Sequence, residues 1–222
     1  MSYNALCACA ELGIKRVVQA SSVNVIGLSR SALIEVILTP QFTPSACRSI
    51  ISHSMKTTRN AQKTLTHFAN RKLLFRPLNS ELTIRICELQ AESICRRYPE
   101  MRIASLRLHG VLTPDLVSRE RLNERGGYWK DLWGWVSQEA TADSCLKGLL
   151  APLSAFPNGH EAFFIASRTI CEQRNSWDLY KTRFDLEKEG TEVRRDIVGN
   201  QSFFDTTKAE RMLGWKEEGF MM

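Results

Sequence analysis

The stretch Glu11-Leu12-Gly13-Ile14-Lys15-Arg16-Val17-Val18-Gln19-Ala20-Ser21-Ser22 decides the fold. Upstream of it, Ala5, Leu6, Ala8, Cys9 and Leu12 fall at helical spacing, and Gly13 stands where a glycine closes a helix C-terminus. Ile14 to Ser22 is then a short β-branched run ending in small hydroxyl residues. A helix, a tight turn and a buried strand form the repeating unit of a sheet with parallel strands. The rhythm recurs, with a helix expected from Ile84 to Arg97, a stop at Pro99 and a strand from Arg102 to Leu108. Two such units predict an α/β fold with a doubly wound parallel sheet.

From Thr113 the pattern becomes mixed α+β. A Trp-rich turn is expected over Tyr128–Val136, a helix near Gln138–Leu150, a strand at Glu161–Ala166 and a helix near Thr206–Leu213. This part reads as a smaller appended domain, 113–222, beside a first domain, 1–112. Between residues 30 and 80 neither the helical nor the strand period holds, and Pro40, Pro44 and Pro77 interrupt the chain.

The 222 residues are 43% hydrophobic and 24% charged, which excludes a disordered, collagen-like or coiled-coil protein. The apolar stretch Ala32–Leu38 is broken by Glu35, and no run approaches the length of a membrane span. Met1 is followed by Ser2, Tyr3 and Asn4 rather than by a basic segment and a long apolar run. A soluble, cytoplasmic protein is therefore expected. The net charge of +6 is concentrated, since residues 30–79 hold eight basic side chains against Glu35 alone. Such a block can serve nucleic acid or an acidic partner. No aromatic interleaving or helical stripe accompanies it, so nucleic-acid binding is disfavoured.

Seven cysteines, an odd number, show no Cys-x-x-Cys pair and no histidine at zinc-finger spacing. Reduced thiols are expected, and no metal site. His53, His67, His109 and His160 are scattered along the chain. Trp129, Trp133, Trp135 and Trp215 read as core and contact aromatics.

The string Glu11 to Gly27 resembles the fourth helix and fifth strand of the NAD-dependent epimerase/dehydratase family, the extended short-chain dehydrogenases/reductases. Three further segments agree with it in order: Ile86-Cys87-Glu88-Leu89-Gln90-Ala91 with Tyr98-Pro99, Arg102 to Pro114, and Asn200 to Trp215 with its Asp-x-x-Lys-Ala and Leu-Gly-Trp. The resemblance implies a partial Rossmann-like NAD(P)-binding domain over 1–112, a small substrate-binding domain over 113–222, and truncation at the N-terminus. It implies NAD or NADP as cofactor and hydride transfer on a sugar nucleotide or similar hydroxyl- or carbonyl-bearing small molecule. Intact relatives are expected to pair as homodimers. Ser22, five residues before Gly27, matches the serine that holds the substrate oxygen. Ala20, Ser21, Leu108 and Val111 are expected against the cofactor, and Asn24 and His109 toward substrate.

The chain departs from that pattern in two places. The glycine-rich loop that brings backbone N–H groups and a helix N-terminus to a pyrophosphate occurs nowhere. The family's acid/base tyrosine needs a lysine four residues on, to stabilise its phenolate near neutral pH. Tyr3, Tyr98, Tyr128 and Tyr180 are followed at that spacing by Cys7, Arg102, Leu132 and Phe184. Aligned on Ile86-Cys87-Glu88, Ser80 and Ile84 occupy the tyrosine and lysine places. A degenerate member or fragment, inactive as written, is the resulting expectation. A non-enzymatic binding protein that uses the basic 30–80 segment is the competing class.

A change of reading frame accounts for the odd segment. Read one base earlier, the codons of Met55-Lys56 spell glutamate, and permissible codons near residues 65–70 give Tyr-Ser-Leu-x-Lys. Unspliced intron is expected between a donor site at Arg71-Lys72-Leu73 and an acceptor site at Ile84-Arg85. The full-length transcript is expected to encode that Tyr-x-x-x-Lys in the shifted frame after splicing. A transcript reading straight through residues 30–85 in the present frame removes this account.

Overall fold

The computed structural model of the protein describes residues 2–26, 76–122, 127–184 and 196–217. Most of the basic 30–80 segment, with the frame-shifted reading, lies outside the described residues.

Helix α1, Ser2–Glu11, buries Leu6 and is closed by Gly13, whose φ of +70° favours a residue without Cβ. The chain turns there and enters strand β1, Arg16–Ser22. Helix α2, Arg76–Arg97, leads to strand β2, Arg102–Leu108. Expectation placed the start of α2 at Ile84 because Pro77 looked like an interruption. Pro77 instead falls in the first turn, where the helix has no use for its missing N–H. The short strand β3, Val111–Leu112, is followed by helix α3, Pro114–Leu122. Strand β4, Val136–Ser137, runs directly into helix α4, Gln138–Leu150. Strand β5, His160–Ile165, helix α5, Ser176–Arg183, and helix α6, Thr207–Leu213, complete the described elements.

The main sheet has the order β1-β2-β5, with every pairing parallel. Alternation along the strands assigns the faces. Val17 and Ile103 pack with Leu6 of α1 and with Ala91, Ile94 and Cys95 of α2. Val18, Ala104, Leu106 and Leu108 face the other way, against Ala140 and Cys145 of α4 and Ala209 and Leu213 of α6. Helices therefore lie on both faces, as a doubly wound sheet requires. Both faces are covered, while β1 and β5 each pair only with β2 among the described residues.

Sheet membership crosses residue 112. Strand β5 and the helices α4 and α6 come from the C-terminal half, yet they complete the sheet begun by β1 and β2. A third, aromatic cluster forms beyond the C-terminal ends of the strands, joining Val23 and Val25 to Leu132, Trp133, Trp135, Tyr180, Phe203 and Phe204. Helices α3 and α5 escaped the sequence reading. Helix α5 had a legible start, since Asn175 accepts from the N–H groups of Trp177 and Asp178 at 2.9 and 3.3 Å.

Two arginine contacts shape the far end of the sheet. The buried Arg102 donates through Nη2 to the Leu149 carbonyl at 3.2 Å, and its guanidinium lies 5.8 Å from the Phe156 ring centre. A cation on a last-turn carbonyl complements the α4 C-terminus. Among the described residues no helix is long and apolar enough to cross a membrane, and Cys7, Cys9, Cys87, Cys95, Cys145 and Cys171 are free thiols.

Candidate functional site

Parallel pairing brings the ends of β1 and β2 side by side. In register, Ala20 meets Leu106, Ser21 meets Arg107 and Ser22 meets Leu108. Ser22, Asn24, Leu108 and Val111 therefore gather at one rim, the carboxyl ends of the strands, where open α/β sheets bind ligands. Ser22 is the last residue of β1, and its Oγ accepts from the Asn24 N–H at 3.2 Å, starting the 3₁₀ turn Val23–Ile26. Asn24 and Val111 are exposed, and Leu108 is half-buried. Ala20 lies two register pairs below the rim and is exposed.

Ser21 points to the opposite face and belongs to a buried polar cluster that the sequence reading missed. Its Oγ donates to Glu88 Oε1 at 2.7 Å. Arg107 makes a two-pronged bond to the same carboxylate, Nε to Oε1 at 2.9 Å and Nη2 to Oε2 at 2.7 Å. The Arg107 guanidinium also lies 5.2 Å from the Phe164 ring centre. Burial alone would push the Glu88 carboxyl up. The two Arg107 hydrogen bonds, the Arg107 charge and the Ser21 hydroxyl outweigh it, so the carboxyl is held below its ordinary range. A charged residue at an alternate position inside a buried strand was the available signal.

Beside this pair a hydrogen-bonded chain crosses all three strands. Gln19 Nε2 donates to Ser105 Oγ at 2.7 Å and to the Cys87 carbonyl at 3.3 Å. Ser105 Oγ, which can accept twice and donate once, is also hydrogen-bonded to His160 Nε2, 2.8 Å away. Burial lowers the His160 pKa to about 4; Glu88 pulls it upward, and Arg107 and Lys208 reinforce the fall.

His109, expected toward substrate, is buried. Its Nδ1 accepts from the Gly110 N–H at 2.7 Å, and its Nε2 donates to the Asp131 carbonyl at 3.1 Å. Its ring packs edge-on against Phe204, with centroids 4.8 Å apart. A Cβ at position 134 would collide with that ring, which accounts for Gly134. Both ring nitrogens are thus engaged within the protein, and burial takes the His109 pKa to about 4.

Ser80 and Ile84 both lie in α2, and Ile84 packs against the aromatic cluster. Neither residue type can supply a phenol or an ammonium at the rim. Among the described residues no group of three His, Cys, Asp or Glu side chains could hold a metal ion. Burial raises the Cys95 thiol to about 11, which leaves it protonated and unreactive.

No protein-family model matches the chain, and no curated protein matches it. Solved structures similar to the chain include two epimerases. One is UDP-glucuronic acid 4-epimerase from Bacillus cereus in complex with NAD, with a TM-score of 0.49 and 12% identity over 98% of this chain and 61% of that one. The other is the UDP-Glc/GlcNAc 4-epimerase from Campylobacter jejuni, with a TM-score of 0.48 and 10% identity over 99% of this chain and 64% of that one. The chain thus spans less than two thirds of the length of either structure.

Two predictions follow from the buried groups. Glu88→Gln or Arg107→Met alone should destabilise the fold by about 3–5 kcal/mol, and replacing both by apolar residues by much less, because a single change strands a buried charge. Equal, additive losses in urea unfolding would contradict this coupling. In the second, His109 and His160 titrate near 6.5 when unfolded and near 4 when folded. The unfolded chain then binds more protons between those values, so stability rises with pH there, and acidification from pH 7 to pH 5 costs about 2 kcal/mol per histidine. His160→Gln, which keeps an acceptor for Ser105, should remove one histidine's share of that slope.

Proposed function

We propose that this chain carries part of the fold of an NAD(P)-dependent epimerase, dehydratase or related oxidoreductase, and that as written it does not transfer hydride. The observation that carries the reading is the juxtaposition at the rim: Ser22 ends β1 beside Leu108, in the string that resembles the family's serine-bearing strand. In this reading Ser22 holds a substrate oxygen, Asn24 faces the substrate, and Ala20, Ser21, Leu108 and Val111 line the nicotinamide side. Ser21 acts there through its backbone, since its hydroxyl is committed to Glu88. His109 shapes the rim from behind rather than bonding to the substrate. The substrate class is a sugar nucleotide, as in the names of the two similar epimerases.

The residues present do not fit a whole dinucleotide. The chain has no glycine-rich loop for the pyrophosphate, and position 84, where the family's lysine is expected, is isoleucine. No chemical step is therefore assigned to bound cofactor. Exposed Tyr3 of α1 and Ile86 and Leu89 of α2 offer an apolar surface for homodimer formation. Division of labour between 1–112 and 113–222 remains part of the proposal, with the aromatic cluster forming the substrate side.

The test is a titration of the purified chain with NADH and a UDP-sugar. No NADH fluorescence enhancement and no sugar interconversion are expected, and sedimentation should show a dimer. Turnover by the chain as written would overturn the inactive assignment. Salt-sensitive nucleic-acid binding, abolished by deleting residues 30–80, would favour the non-enzymatic class instead.

A further inference from the structure

The segment after α6 runs back along α4 and is fastened to it at three heights. Lys147 Nζ donates to the Gly214 carbonyl at 2.8 Å. The indole of Trp215, 1% exposed, donates from Nε1 to the Ala140 carbonyl at 2.9 Å. At the N-terminal end of the helix, Glu217 Oε1 accepts from the Ser137 N–H at 3.2 Å. Gly214, with a φ of +67°, makes the turn that aims the segment this way.

The third fastening differs in kind from the other two. Glu217 is 6% exposed, and its Oε2 has no hydrogen-bond partner among the described residues. The Ser137 hydroxyl accepts from the Ala140 N–H at 3.0 Å, which leaves its own proton free to turn toward the carboxyl, and the Ser137 carbonyl accepts from Thr141 at 2.7 Å. The groups facing the carboxyl are neutral, the serines at 137 and 167. Neighbouring charges, Lys216 on the same segment and Glu139 on α4, are exposed. A carboxylate here has the Ser137 N–H and the hydroxyls of Ser137 and Ser167 to draw on but no counter-charge, whereas a carboxylic acid carries no charge to desolvate.

We propose that Gly214–Glu217 is a proton-gated strap on α4, latched when Glu217 is neutral and released beyond Trp215 when Glu217 ionises. Burial pushes the Glu217 carboxyl up, and the Ser167 hydroxyl, the Ser137 N–H and the Ser137 hydroxyl pull it back only in part. Latching is thus strongest near the ordinary carboxylate pKa and weakens as pH rises toward the raised value. This is the opposite sign to the histidine effect, which strengthens the whole fold over the same range.

The test is amide hydrogen exchange of the full chain between pH 5 and pH 8, with each rate normalised to its intrinsic value. Protection at the Ser137 amide, which donates to Glu217, should fall by at least about threefold as pH rises, while β2 amides hold or gain protection. Glu217→Gln should keep the strap protected with no pH dependence, and Glu217→Ala should leave it open at every pH. Constant protection in the wild type, or the same slope in Glu217→Gln, would overturn the proposal.

Discussion

The Glu88–Arg107 pair is the constraint on which the rest of the sheet depends. A carboxylate and a guanidinium, with side chains 9% and 12% exposed, are held between α2 and two strands. Charges so placed are tolerated only when fully paired, and the two-pronged geometry admits one setting of α2 against the sheet. That setting brings the Ser21 hydroxyl onto the same carboxylate and the Cys87 carbonyl within reach of Gln19. The α2 face of the sheet is therefore organised by polar groups as well as by Ala91, Ile94 and Ile103.

The rim inherits its shape from this lock. Because Ser21 and Arg107 are register partners, fixing them fixes the next pair, Ser22 and Leu108. Beyond the rim, Leu132 and Trp133 each adopt a φ of +53°, left-handed backbone costing about 1–2 kcal/mol per residue. Hydrogen bonds hold the turn in place: His109 donates to the Asp131 carbonyl, and the Cys171 N–H donates to the Trp133 carbonyl at 2.8 Å. The aromatic cluster behind them buries Leu132 fully and leaves Trp133 6% exposed. A histidine that reads as substrate-facing in the sequence is thus committed to supporting a strained turn.

Much of the fold was legible because local patterns matched their tertiary roles. The β-branched run before Ser22, the Gly13 stop and the strand Arg102–Leu108 are each specified by neighbouring residues, and the structure places them where the pattern does. Helix α2 began early because a proline acts as a breaker in mid-helix and is harmless in a first turn, a distinction that needs the helix start to be known. Short elements such as β3 and β4 have no period long enough to read, and they exist because each pairs with the other.

The sequence by itself determined the class of sheet, the strand that ends in Ser22, and the lack of a glycine-rich loop and of a tyrosine with its lysine. These follow from residue identity and spacing along the chain. Only the tertiary structure decided that Ser21 belongs to Glu88 rather than to the rim, that both nitrogens of His109 are engaged, and that β5 from the C-terminal half completes the sheet. Apart from the Gly110 N–H on His109 Nδ1, each of these depends on a partner distant in sequence, Glu88 from Ser21, Asp131 from His109 and β2 from β5. Hydrogen bonding and burial, unlike periodicity, are properties of pairs that only the folded chain brings together.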